Sequence, residues 1–322
     1  MTSKIELSHR TVFFVFALIG LTWLITQIWD ILFLLFVAFI LMSALRPVVG
    51  KLVSFRVPRM LAILLVYGGI FGLFSLVIAG VLPPLVTQST RLIQEFPGFI
   101  ERLLPYWDVN ISSFTDQIAP ISQNLVKFTL GIFTNFLTVV TVLVFAFYFL
   151  LERSYLDHFL IGMFGEAAGK KTSDIIQKVE WSLGQWLLGE LALMLSIGVL
   201  TYVGLLALKI EYALPLAILA GLLEIIPSIG PTISAIPAIL VALTFSPLLA
   251  LAVGVLYFII QQLENNIFVP VVMRRAVGLP PLVTILSLLI GGRLAGLGGA
   301  IFAVPIVVML HVIITESLVK KS

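Results

Sequence analysis

The most constraining feature of this 322-residue chain is a succession of apolar runs, several of them about 20 residues long, with almost no charge inside them. A helix that crosses the hydrocarbon core of a bilayer needs about 20 mostly apolar residues, within a range of roughly 17–25. Thr11–Ile28, Ile31–Leu45 (reaching Val49 if Arg46 snorkels), Met60–Leu82, Phe128–Leu151 and Leu183–Leu208 fit that length, and Leu248–Leu263 lies in a further run. Only 11% of the residues are Asp, Glu, Lys or Arg, where a soluble domain has about a quarter. So little charge cannot cover a water-exposed surface, and lipid must solvate much of the chain. The fold class expected is therefore all-α and polytopic, with about six full transmembrane helices.

Two other apolar stretches do not fit a simple span. Ala213–Leu243 and Leu282–Ile314 are too long for one crossing and are broken internally by Gly and Pro. They also match each other at constant offset: Gly230 with Gly298, Ile233 with Ile301, Ala235 with Ala303, and Pro237 with Pro305. Proline removes a helical donor and glycine permits a sharp turn. Backbone freed in this way at membrane depth is tolerated only inside protein or against a wet cavity. We therefore expect two re-entrant hairpins, at about 213–245 and 281–316, which paired broken segments also mark as a transport-site signature. The rival reading is that Gly and Pro are common in membrane helices and that apolar sequence matches itself by chance.

Charge placement orients the chain. Arg46, Lys51, Arg56 and Arg59 crowd one acid-free loop, which the positive-inside rule assigns to the cytoplasm. The N-terminus then lies inside too, with Lys4 and Arg10 before a first helix expected to be retained. Two hairpins with one crossing between them put Arg274-Arg275 and Lys320-Lys321 inside, and make the repeat inverted in topology. The expected organisation is three N-terminal transmembrane helices over 1–84 and an extracytoplasmic amphipathic helical cap over 85–127. A fourth transmembrane helix follows over 128–151, then cytoplasmic amphipathic helices over 152–182, with a capping box at Ser154–Asp157. Residues 183–322 complete the chain as a transport core. Gly68, Gly69 and Gly72 offer small-residue surfaces for helix packing.

Polar groups within apolar segments are costly, about 2.5–3.5 kcal/mol at the bilayer centre, so each needs a reason. Glu224 sits near the tip of the first hairpin and Arg293, after Gly291-Gly292, near the tip of the second; they can pair structurally or flank a substrate. Glu190, two turns into its helix, can carry a proton or serve as a hydrogen-bonded packing group. Gln261, Gln262, Glu264, Asn265 and Asn266 form a dense polar patch that should face protein, another subunit or a cavity, or else mark the interfacial end of the helix. The chain lacks cysteine, and His9, His158 and His311 match no metal-ligand spacing. No P-loop pattern occurs, and no nucleophile–base set or cofactor motif suggests an enzyme. The net charge of +3 reflects topology rather than nucleic-acid binding.

At these residues the sequence resembles the autoinducer-2 exporter family of bacterial membrane transporters. The likeness is carried by Pro215–Pro237 (PLAILAGLLEIIPSIGPTISAIP), Gln261–Pro270 (QQLENNIFVP), Val277-Gly-Leu with Pro281-Leu-Val, and Ile290–Pro305 (IGGRLAGLGGAIFAVP). The resemblance implies a homo-oligomeric inner-membrane transporter, a pentamer, whose hairpins contact substrate or move. It implies autoinducer-2, a small polar solute, or a sodium or lithium ion exchanged for protons as cargo. Glu224, Pro227, Gly230, Pro231, Gln262, Glu264, Pro270, Gly291, Gly292 and Pro305 occupy the family's motif positions. The chain departs at Leu188-Gly189-Glu190, where many relatives have a basic residue followed by Gly-Gln, and at Pro280, where His is common. An ion-driven transporter, a cation/proton antiporter and a passive oligomeric channel are the functions in contention.

Overall fold

The computed structural model describes residues 9–103, 136–226, 230–273 and 279–318, and these are helical almost throughout, with no strand among them. The N-terminal helices are α1 (His9–Gln27), α2 (Trp29–Ser54), α3 (Arg59–Gly80) and α4 (Leu82–Leu103). Next come α5 (Phe136–Phe164), α6 (Glu166–Ala207), α7 (Ala213–Leu223) and α8 (Gly230–Phe245). The last are α9 (Pro247–Leu263), a π-helical turn (Glu264–Phe268), α10 (Val269–Met273) and α11 (Pro281–Leu318). Among the described residues five stretches are long and apolar enough to cross a bilayer, or six if the bent α5 is counted.

Local chemistry sets the boundaries. Pro58 precedes α3 and Pro247 opens α9, where a missing N–H is harmless. Ser246 caps α9 by accepting a hydrogen bond from the Leu249 amide at 3.0 Å. Lys209 adopts positive φ (57°) to end α6, and the Ile210 amide closes the turn on the Leu205 carbonyl at 3.0 Å.

The apolar runs Ile31–Leu45, Met60–Leu82, Leu183–Leu208 and Leu248–Leu263 fall on α2, α3, α6 and α9, whereas α1 is not among the stretches apolar enough to cross and residues 128–135 of the fourth run lie outside the described residues. Two junctions also differ from expectation. The second amphipathic stretch, expected to be cytoplasmic, and the fifth span are one continuous 42-residue helix, α6. At 1.5 Å per residue it is about 63 Å long, twice a hydrocarbon core, so its first turns must project beyond the bilayer. The first amphipathic stretch continues from the fourth span through a 68° bend, and Gly165 (φ 80°) separates it from α6. Asp157, read as part of a capping box, accepts hydrogen bonds from Arg153 and from Ser173 on α6. Gly68, Gly69 and Gly72 touch nothing within 4 Å, so their small faces serve no packing among the described residues. That role falls instead to Gly184 against the Ser43 backbone of α2, and to Gly198 and Gly221 where α6 and α7 cross.

The two Gly/Pro-broken stretches are broken where expected. The first becomes two helices of 11 and 16 residues, α7 and α8, each too short to cross alone. Gly230 lies against the Leu223 carbonyl so tightly that a Cβ there has no room. The second break is at Ala295 and Gly296, where the backbone is non-helical and Gly296 takes φ 60°. In a straight helix residues eight apart are about 12 Å apart, yet Gly291 and Gly299 are in backbone contact and a Cβ on Gly291 would lie 2.9 Å from the Ala303 methyl. The two arms of α11 therefore fold back on one another along a glycine seam. Gly230 opens α8 with Pro237 inside it, and Gly298 follows the break at Ala295–Gly296 with Pro305 beyond, so the matched Gly and Pro positions both lie just after a break.

Three buried clusters hold the helices together. Met42, Ala62, Ile63 and Leu150 join α2, α3 and α5. Ile40, Leu183, Leu288 and Val304 join α2, α6 and α11. Ile197, Leu216, Val241 and Val253 join α6, α7, α8 and α9. Outside them Phe14, Phe16, Leu73, Leu76, Leu195 and Leu251 lie exposed, an apolar surface that water cannot favourably solvate. Of the expected cap, residues 85–103 belong to α4, which docks Leu92 on the α6–α9 cluster and receives a 2.6 Å hydrogen bond from Tyr212 at Glu95; residues 104–127 lie outside the described residues, as do Arg274-Arg275.

Candidate functional site

Glutamates are rarely buried unless paired, and four are almost fully buried here: Glu180, Glu190, Glu224 and Glu264, each 1–2% exposed. They divide into two groups by their partners.

Glu190 points from the buried stripe of α6 that also carries Leu183, Trp186, Leu193 and Ile197. Glu224 caps the C-terminal end of α7, where the first broken segment turns. Glu264 opens the π-turn after α9. One extra residue in that turn changes the helix phase, a common device at functional sites. It directs Glu264 inward while Gln262, Asn265 and Asn266 remain exposed, with Asn266 donating to the Gln262 carbonyl at 2.8 Å.

These three acids converge. Glu224 faces Glu264 within hydrogen-bonding reach, and each is close enough to Glu190 or its partner to feel its charge. One carboxylate oxygen of each (Glu190 Oε1, Glu224 Oε2, Glu264 Oε2) is buried without a hydrogen-bond partner. Among the described residues no Lys, Arg or His pairs with any of them. Burying even one carboxylate without a counter-charge costs several kcal/mol, so the cluster needs positive charge from elsewhere. A proton between two facing carboxyls turns repulsion into a hydrogen bond. Among the described residues no group of three or more acidic or His side chains is arranged to hold a metal ion.

Several other sequence candidates lie apart. Arg293 is exposed on the second broken segment and pairs with no acid among the described residues, so it does not meet Glu224. The tips are not joined by that ion pair because Arg293 lies on the outer side of a hairpin whose inner side is the Gly291–Gly299 seam. Gly291 and Gly292 serve that seam, and Gly230 and Pro231 are buried where α8 begins beside Glu224. Pro227 lies outside the described residues.

The fourth buried acid was not singled out in the sequence. Glu180 receives the Arg153 Nε at 2.5 Å and an Arg46 guanidinium N–H, and Arg153 also donates to Asp157 at 2.7 Å. This network ties α2, α5 and α6 at one end of the bundle. Its sequence signal was faint: a basic residue closing the fourth apolar run, and an acid among apolar positions at helical spacing. Beside it opens a cavity of about 1550 Å³ between α2, α6 and α11, lined among others by Arg46, Lys170, Lys171, Gln185 and His311. Glu180 lines this cavity, whereas Glu190, Glu224 and Glu264 do not.

Apolar spans, two broken helix pairs and a buried acid cluster without a basic partner among the described residues are the marks of a polytopic membrane protein and suit the transporter class. Sequence comparison gives the particular group: the sequence model of the AI-2E family transporters matches residues 12–318, and the chain belongs to that family. It is 28% identical to YrrI of Bacillus subtilis (strain 168), named only as a candidate transport protein, over 96% of this chain and 93% of that one. It is also 28% identical to the AI-2 transport protein TqsA of Escherichia coli (strain K12), over 88% of this chain and 84% of that one. The protein is thus a multi-pass bacterial membrane transporter.

Proposed function

We propose that this chain is a secondary transporter that moves a small polar solute across the bacterial inner membrane, coupled to an ion gradient through Glu190, Glu224 and Glu264. The observation that carries the proposal is the convergence of three buried carboxyls, from three separate elements, with no basic side chain among the described residues to neutralise them. A charge left unpaired in this setting is a functional group by default. Facing carboxyls can share and exchange a proton, which makes the proton the coupling ion of this reading. Autoinducer-2 is the first solute to test, given the name of TqsA; the exposed amides of Gln262 and Asn266 are hydrogen-bonding groups for such a molecule. The two folded-back segments are taken as re-entrant from opposite sides, with both termini cytoplasmic and the working unit a homo-oligomer.

In proteoliposomes with an imposed pH gradient, solute flux should follow the gradient, saturate and show counterflow. Glu224→Gln and Glu264→Gln should uncouple it from pH. Wild-type coupling in both variants removes the cluster from the mechanism, and non-saturable flux without counterflow supports a passive channel.

A second reading, sodium or lithium exchange for protons, draws on the purely acidic character of the cluster. Proton efflux driven by sodium or lithium alone, with no organic solute present, would establish it.

A further inference from the structure

Two other buried polar atoms in the transport core have no hydrogen-bond partner among the described residues: Thr201 Oγ1 on α6 and Tyr257 Oη on α9. Thr201 is 0% exposed and Tyr257 6%. Leaving a buried hydroxyl unsatisfied costs about 1–3 kcal/mol, and a helical Thr has an easy remedy, folding its Oγ1 back onto the carbonyl three or four residues earlier. Other hydroxyls in these helices do so: Thr172 and Ser196 on α6 itself, Ser43, Ser75, Thr141 and Thr244 elsewhere. Thr201 does not. Its hydroxyl is left buried and unpaired among the described residues.

The placement of the pair is as informative as their orphaned state. On α6 the buried stripe runs Glu190, Leu193, Ile197, Thr201, Leu205, so Thr201 shares a face with Glu190 about 16 Å further along. On α9 Ala250, Val253, Tyr257 and Ile260 are buried at helical spacing and lead to Glu264, about 10 Å beyond Tyr257. The stripes face one another. Gly204 sits against the Leu256 side chain, Glu190 and Glu264 feel each other's charge, and Ile197, Leu205 and Tyr257 belong to one core cluster. Both hydroxyls therefore lie on the same side of the acid cluster, toward the turn that joins α6 to α7.

We infer that Thr201 and Tyr257 continue the coupling route outward from the three glutamates, holding water that passes the proton between the cluster and the α6–α7 side of the membrane. The inference rests on the coupling reading above and extends it to residues on the other side of the cluster from the Arg46–Lys170 cavity. A hydroxyl both donates and accepts, so water can bridge the two without either being ionised, and the proton that enters at one end is matched by one released at the other.

The test uses Thr201→Val, Tyr257→Phe and the double variant in the full-length transporter, with Thr201→Ser as the conservative control. Proton-coupled transport in proteoliposomes should slow about ten-fold for each lost hydroxyl, the kinetic equivalent of one hydrogen bond. Thr201→Ser should retain most of it. Thermal unfolding in detergent should be unchanged or shifted upward, because each substitution deletes an unsatisfied polar atom. Wild-type flux in the double variant overturns the inference, as does a fall in unfolding temperature that accompanies the loss of flux. Glu264→Gln is measured alongside. If it uncouples transport and the hydroxyl variants do not, only this inference fails; if it too transports normally, the coupling reading fails with it.

Discussion

Replacing Glu180 with Ala should destabilise the fold by about 3 kcal/mol, most of it through Arg153. In the native chain Glu180 is 1% exposed and holds two guanidinium groups, from Arg46 and Arg153. The two pairs are unequal. Arg46 is 39% exposed, so water screens it and its pairing adds little. Arg153 is 5% exposed and already has one buried nitrogen, Nη2, without a partner. Removing its buried carboxylate leaves a nearly uncompensated cation, with only the partly exposed Asp157 at 2.7 Å to oppose it, and breaking a buried pair from one side costs about 3–5 kcal/mol. The unfolding temperature in detergent should fall by roughly 6 °C, at about 2 °C per kcal/mol for a large domain. Converting both partners to apolar residues of similar size, Glu180→Leu with Arg153→Met, should recover most of that loss, since a buried ion pair gains little over good packing. Strict additivity of the two single effects in the double variant would show that the residues do not act as a pair and would refute the reasoning.

Three further outcomes follow from the packing. Gly299→Val should cost about 1–3 kcal/mol or more by overpacking, because a Cβ there collides with the Gly291 carbonyl; both the unfolding midpoint and transport should fall. Gly221→Leu should act similarly where α6 and α7 cross, since its Cβ would meet the Met194 carbonyl at 2.8 Å. Lys178→Ala removes a 2.5 Å pair with Glu316 whose lysine is 55% exposed, and its effect on the midpoint should be under about 1 kcal/mol; a larger loss would show that the α6–α11 contact depends on that charge.

Much of this arrangement is readable from residue order because the bilayer restricts the choices. Apolar run length fixes helices such as α3 to within a residue or two, and Gly and Pro mark both breaks, since few other residues permit them. Glu190 and Glu224 stand out as acids in apolar surroundings, and Glu264 as the acid of a polar patch that closes an apolar helix. Their convergence is less legible: Glu264 enters the core, and Gln262 and Asn266 do not, because of a single π-turn that no periodicity announces. The same limit explains Arg293, whose sequence position near a hairpin tip says nothing about which side of the hairpin it occupies. Glu180 escaped notice because an acid on an amphipathic stretch reads as a solvated face, and only the approach of α2 and α5 buries it. Glycines divide in the same way: a Cβ added at Gly68, Gly69 or Gly72 would meet nothing within 4 Å among the described residues, while isolated Gly184 and Gly221 carry close crossings.

The unbroken length of α6 has a mechanical meaning. Its first half borders the cavity, its middle carries Glu190 and its far end carries Thr201, so one stiff rod links every part of the proposed route. Pivoting it by 5° about Glu190 would swing the Glu166 end by about 3 Å, over an arm of 24 residues at 1.5 Å each. Such a lever can widen the wide end of the passage while scarcely displacing the carboxyls at its fulcrum.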